Sequence, residues 1–210
     1  MLGVVLTKEC SASDQVVCLT FRSLVLNGNL ELEHSMHPII YDVAVSLDGF
    51  ICGPDGDVSQ FAHDGEVVED YNRRLSTYAT AIMGRSTYEF GYKFGLIAGQ
   101  NPYPHLETIV FSTKIEVPKE SEIVVQRDLS DGLIKDIAAA SEGPIYLCGG
   151  GDFAGSLLMR GMIDQIVLKR APIVLGGGVS LFGQRQNKAQ IRRVSTKTYD
   201  NGYVLEEFTL

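Results

Sequence analysis

No apolar run in the 210 residues approaches the length of a membrane span, no two of the four cysteines stand in a CxxC pair, and basic residues are the minority charge. Each shortage excludes something. Without a stretch of about 20 apolar residues, no transmembrane helix is expected. With Cys10, Cys18, Cys52 and Cys148 unpatterned and His34, His37, His63 and His105 scattered, no metal site is expected. Lys and Arg number 18 against 26 Asp and Glu, a net charge of −8. That balance argues against a broad nucleic-acid face but allows a local basic pocket. The N-terminus lacks a basic start followed by a sustained apolar core, so no secretory signal is visible. Unpatterned cysteines suit a reducing cytoplasm. What is plentiful is apolar content: 45% of residues are hydrophobic and 21% charged, enough for a real core.

The chain divides near Met36. Residues 1–36 have mixed composition, with one local signal, Asn27-Gly28 between Leu24-Val25-Leu26 and Asn29-Leu30-Glu31-Leu32, a hairpin turn. This extension is either a leader or misassigned start, or an added hairpin or arm. Residues 37–210 form the domain. A β-rich run at 39–46 ends at Asp48-Gly49, a loop covers 50–63, and spaced apolar positions predict a helix over 64–79. Strands are expected at Ala79–Met83, Thr108–Phe111, Ile123–Val125, Ile145–Cys148, Gln165–Lys169 and Pro172–Leu175. Helices are expected after Gly84, at 129–140 and at 152–160. Two further strands, 189–199 and 203–209, flank Asp200-Asn201-Gly202, a hairpin signal. Alternating strands and helices with a terminal hairpin predict an α/β three-layer fold, its mixed sheet mostly parallel with an antiparallel edge.

Three strand ends run into glycine or small hydroxyl residues: Gly84-Arg85-Ser86-Thr87, Phe111-Ser112-Thr113-Lys114 and Cys148-Gly149-Gly150-Gly151. Helix N-termini and side-chain-free backbone suit phosphates, and Arg85 adds a fork of donors. Ligands of open α/β sheets bind beyond the carboxyl ends of strands, where all three junctions could face one cleft. Taken singly, each also reads as a tight connection or a cap. Together they favour a nucleotide with more than one phosphate. Asp48, after the first strand, could face the same cleft or simply hold an Asx-turn.

In this order and spacing, VAVSLDGFI at 43–51, IMGRSTYE at 82–89, IVFST at 109–113, LCGGGDFAGSLL at 147–158 and APIVLGGG at 171–178 are recognisable. From residue 38 onward the chain resembles the dihydrofolate reductase-like superfamily. It is most similar to the bacterial branch related to the C-terminal reductase domain of the riboflavin-biosynthesis deaminase/reductase.

The resemblance implies an NADPH-dependent reductase. It transfers a hydride to a C=N or C=O of a small heterocycle, pteridine- or ribosylaminopyrimidine-like. By position, Ala44 and Ile51 would meet the nicotinamide carboxamide. Gly84, Arg85, Ser86 and Thr87 would hold phosphates, and Phe111, Ser112 and Thr113 would flank the 2′-phosphate. Gly149, Gly150, Gly151, Asp152 and Phe153 would lie against the pyrophosphate, with a cis peptide allowed between the first two glycines. Asp48, then Asp57, are the candidates for substrate contact or proton relay. Close relatives read Asp-Val-Asp-Trp where this chain has Asp57-Val58-Ser59-Gln60-Phe61, and the sequence has no tryptophan. That loss points away from dihydrofolate as substrate and supports the alternative, an NADPH-binding protein that has lost its chemistry. A homodimer, with no nucleic-acid or membrane partner, is also expected.

Overall fold

β1 (Ile39–Val45) shows how the sequence builds this domain. Its side chains alternate between two faces, as period-2 geometry requires. Ile39, Tyr41 and Val43 join one apolar cluster, whereas Ile40 and Ala44 join those on the opposite face. A strand covered on both sides belongs at the centre of a sheet. The computed structural model describes residues 36–184 and 188–210, so the expectations for residues 1–35 lie outside the described residues.

The other elements are β2 (Phe50–Cys52), α1 (Glu66–Leu75), β3 (Thr80–Gly84), α2 (Arg85–Phe90), β4 (Glu107–Phe111) and β5 (Val124–Gln126). They continue with α3 (Asp131–Ala140), β6 (Ile145–Gly149), α4 (Gly151–Met159), β7 (Gln165–Arg170), β8 (Val179–Ser180), β9 (Arg192–Thr198) and β10 (Val204–Thr209). The main sheet runs β5-β4-β3-β6-β1-β7-β10-β9, parallel from β5 to β7, with β10 and β9 antiparallel. Ile134 and Ala138 of α3 and Ala154 and Leu157 of α4 pack on one face. Tyr71 and Leu75 of α1 and Tyr88 of α2 pack on the other. The result is the expected three-layer α/β fold.

Local chemistry explains the boundaries. Ser130 caps α3, its Oγ accepting the Leu133 N–H at 3.4 Å. In α1, Glu66 and Glu69 lie in the first turn and Arg73 and Arg74 in the last, complementing the helix dipole. Gly202, at φ +82°, closes the β9–β10 hairpin, where its N–H donates to the Tyr199 carbonyl at 2.9 Å.

Two expectations are corrected. Pro172–Leu175 is irregular rather than a strand. Pro172 has no N–H to give a ladder, and Gly176 and Gly178 beyond it take left-handed φ. The ladder that does form there is β8 with β2, an antiparallel pair whose β2 strand lies inside the segment, 50–63, that the sequence reads as loop. Gly178 makes this pairing possible: at φ +123° a Cβ on it would clash with the Cys52 carbonyl oxygen and come within 2.8 Å of Gly53 Cα.

Candidate functional site

The carboxyl ends of β1, β3, β4 and β6 lie along one edge of the parallel sheet, and two concavities open there. The first is a cavity of about 490 Å3 over β1, β6 and β7. Its wall is apolar, from Val43, Ala44, Ile51, Val58, Phe61, Val67 and Val68. Phe90 of α2 and Tyr203 of the terminal hairpin also line it.

The floor of this cavity carries charge. Asp42, on the α1 side of β1, is buried. Its Oδ1 accepts from Lys169 Nζ at 2.9 Å. Its Oδ2 accepts from Arg74 Nε at 2.9 Å and from the Tyr78 hydroxyl at 3.1 Å. A further Arg74 N–H reaches Oδ1 at 3.4 Å. Burial alone would raise the Asp42 pKa, but the Lys169 and Arg74 cations more than offset it and hold the carboxyl below its ordinary value. The Lys169 ammonium sits 3.6 Å from the Tyr71 ring centroid. Burial pushes its pKa down, opposed by Asp42. The neighbouring neutral groups pair among themselves: the Tyr71 and Tyr146 hydroxyls at 2.9 Å, the Tyr103 hydroxyl and Cys148 Sγ at 3.2 Å. Burial pushes the Cys148 thiol up, keeping it protonated.

The second concavity is a cleft of about 510 Å3 beyond β3, β4 and β5. Arg85, Lys114 and Arg127 line it against one carboxylate, Asp128, together with Ser112 and Thr113. Ser112 Oγ accepts the N–H groups of Lys114 and Ile115, at 3.1 and 2.9 Å, which fixes the turn after β4. Arg127 donates to the Ser112 carbonyl at 3.0 Å, and Arg85 pairs with Glu89 at 3.1 Å. Phe111 and Phe153, with ring centroids 5.0 Å apart, form one wall.

The glycine triplet connects the two. Cys148 before it lines the cavity, and Phe153 after it lines the cleft. The Gly149–Gly150 peptide is cis. Gly150 is the N-cap of α4 and offers no side-chain cap. A Cβ on it would lie 3.0 Å from Thr87 Oγ1, so the starts of α2 and α4 converge here.

Most of the residues that sequence reasoning singles out gather along this edge. Ala44 and Ile51 line the cavity, while Arg85, Phe111, Ser112, Thr113 and Phe153 line the cleft. Gly84, Ser86, Thr87, Gly149, Gly150 and Gly151 lie at the strand–helix junctions between them. Asp152 is tied elsewhere, its Oδ1 accepting the Gln184 N–H at 3.3 Å. Asp48 and Asp57 do not line the cavity. Asp48 Oδ1 accepts the Ser46 hydroxyl at 2.6 Å and the Leu175 N–H at 3.1 Å, and Oδ2 accepts the Gly176 N–H at 2.7 Å. These bonds, led by that from Ser46, hold its pKa down at about 2. Such a carboxylate anchors a turn, and a proton donor at neutral pH it is not. Asp57 faces a separate hollow with Lys93 and Phe94, and hydrogen bonds from Ser59 lower its pKa. Arg127, Asp128, Asp42 and Lys169 are charged lining residues that sequence reasoning missed. For the last two the available signal was a charge inside an apolar strand run.

This architecture, a central mostly parallel sheet with an antiparallel terminal hairpin and a ligand-sized edge of strand ends, is dihydrofolate reductase-like. Over residues 37–205 the sequence matches the RibD C-terminal domain family, and the chain belongs to that family. It is 26% identical over 158 residues to the uncharacterized protein YwjB of Bacillus subtilis, covering 75% of this chain and 89% of that protein. It is 27% identical over 176 residues to the uncharacterized protein YyaP of the same organism, covering 79% and 91%. Among solved structures, a protein from Shewanella sp. PV-4 named for riboflavin biosynthesis superposes with a TM-score of 0.69 at 24% identity, covering 83% of this chain and 98% of that one. Dihydrofolate reductase from Enterococcus faecalis, solved with NADP(H), superposes with a TM-score of 0.59 at 18% identity, covering 82% and 95%.

Proposed function

We propose that this chain is an NADPH-dependent reductase acting on a C=N or C=O of a small heterocycle. One observation carries the reading. An apolar cavity and a three-cation cleft lie at opposite ends of a glycine triplet, along one row of strand carboxyl ends. A phosphorylated dinucleotide has the same order of parts: a flat ring, a pyrophosphate and a second phosphate.

The residues present fit such a group. Arg85, Lys114 and Arg127, with Ser112 and Thr113, match the 2′-phosphate in charge and donor type. Helix geometry leaves the first N–H groups of α4 without intrahelical partners, and the bare Gly150 leaves backbone open to a pyrophosphate. Ala44 and Ile51 border the cavity where the nicotinamide would rest. NADPH, when bound, supplies the hydride. The chain's own contribution is orientation, exclusion of water by Val58, Phe61 and Val68, and polar contact through the cavity floor.

A second reading, nucleotide binding without turnover, draws on the position of Asp48 and Asp57 outside the cavity. Steady-state NADPH oxidation against a panel of reducible heterocycles separates the two. Turnover of at least one supports the reductase, and tight NADPH binding with no oxidation across the panel supports the alternative.

A further inference from the structure

We propose that Lys169 is the recognition point of the cavity, and that it selects a flat, largely apolar ring bearing one carboxylate or enolate-like oxygen. The proposal deepens the reductase reading by naming the substrate's chemical class.

Donor and acceptor accounting leads to Lys169. Ionised, Asp42 offers about four acceptor sites. It receives four hydrogen bonds, from Lys169, twice from Arg74, and from Tyr78. It has nothing left to offer a ligand. The Lys169 ammonium has three donors and, among the described residues, makes one hydrogen bond, to Asp42. A second face is turned to the Tyr71 ring. That leaves a donor facing the cavity on a side chain only 10% exposed. A buried donor left without an acceptor costs free energy, and a ligand oxygen would remove that cost.

Charge accounting agrees. Arg74 alone would balance Asp42, so Lys169 leaves the buried cluster with a surplus positive charge. Among the other polar groups on the cavity wall, Tyr71, Tyr146 and Cys148 are hydrogen-bonded to one another or to Tyr103, and the Tyr203 hydroxyl accepts the Ala62 N–H at 2.7 Å. Apart from the exposed His63 and Asn72, the remaining wall is apolar, which fits a ring face. A purely structural ion pair needs no second cation and no donor turned toward the cavity.

The test uses the full chain without nicotinamide, so that its failure is separate from failure of the reductase reading. The probes are 2-naphthoate and its neutral isostere 2-naphthamide, titrated through their own fluorescence, which is not obscured because the protein has no tryptophan. The wild type is expected to bind naphthoate about tenfold or more tighter than naphthamide, as a charge-assisted hydrogen bond implies. Lys169→Met should erase the difference, Lys169→Arg should keep part of it, and Arg85→Ala in the other cleft should leave it intact. In crystals of the wild type soaked with naphthoate, the carboxylate should lie within hydrogen-bond distance of Lys169 Nζ; this arm needs no variant to fold. Equal affinity for the two probes, binding of neither, a preference that survives Lys169→Met or vanishes in Arg85→Ala, or a carboxylate bound elsewhere overturns the proposal.

Discussion

Asp42 and Lys169 stand two residues out of register on neighbouring parallel strands, Asp42 opposite Val167 and Lys169 opposite Ala44, and their side chains meet at 2.9 Å. The offset is a consequence of period-2 geometry: a two-residue step keeps both charges on the same face of the sheet. There they lie between β1, β7 and α1, which brings Arg74 to the same carboxylate.

Removing that carboxylate strands two cations. Asp42→Asn keeps the shape but leaves Lys169 and Arg74 without a counter-ion, and it should cost about 3–5 kcal/mol of stability at pH 7. Chemical denaturation of the two proteins measures it. A loss within experimental error would mean that the cluster relaxes into water.

The cations of the cleft should discriminate between nicotinamide nucleotides. Arg85→Ala and Arg127→Ala should each weaken NADPH by about tenfold and NADH far less, since a lost charge-assisted hydrogen bond is worth about 1.5–3 kcal/mol. Arg85 also pairs with Glu89, so part of its charge is already engaged, and Arg127 should show the larger effect if that pairing persists in the complex. Fluorescence titration of both nucleotides against both variants reads the difference.

Two glycines separate folding from binding. Gly178→Ala forces a Cβ against backbone of Cys52 and Gly53 at φ +123°, where neither partner can yield. It should lower the melting temperature sharply. Gly150→Ala meets a side-chain hydroxyl, Thr87 Oγ1, at 3.0 Å, which can shift. It should fold and lose most of its nucleotide affinity. Thermal melts and NADPH titration of both variants check the contrast.

Periodicity makes much of this architecture legible in the sequence. The spaced apolar residues of α1 and the Asp200-Asn201-Gly202 turn each act within a few residues, so a linear reading detects them. What escaped depends on distant partners. β2 and β8 are three and two residues long and exist because each supplies the other's ladder. Asp42 and Lys169 look like isolated exceptions in apolar runs, because their pairing spans 127 positions. Arg127 follows β5 and enters the cleft only because β5 lies beside β4. For Asp48 the motif was visible, and its role was decided by Leu175 and Gly176, again 127 and 128 residues away.

Asp48→Asn should therefore leave NADPH affinity unchanged and lower the melting temperature. Its depressed pKa fixes the pH dependence. The anchoring is complete above the unfolded value of about 3.9 and is lost as pH falls toward about 2. Across that window the wild type should lose more thermal stability than the variant, and melting curves at a series of acid pH values measure the difference.

We propose that a second copy of the chain covers the β9 edge. β9 is exposed along its whole length, with Val194 46% and nearby Ile191 47% exposed. Uncovered edges with apolar side chains invite pairing. Light scattering should return a dimer mass at micromolar concentration, and Val194→Lys should shift it toward the monomer. A monomer in the wild type contradicts this.

Titration of the purified full chain with NADPH and with NADH, followed by nucleotide fluorescence, tests the central claim most directly. The account predicts saturable binding of both, with NADPH favoured by about tenfold or more through the Arg85, Lys114 and Arg127 cleft. Equal affinities, or no binding of either nucleotide, would contradict it.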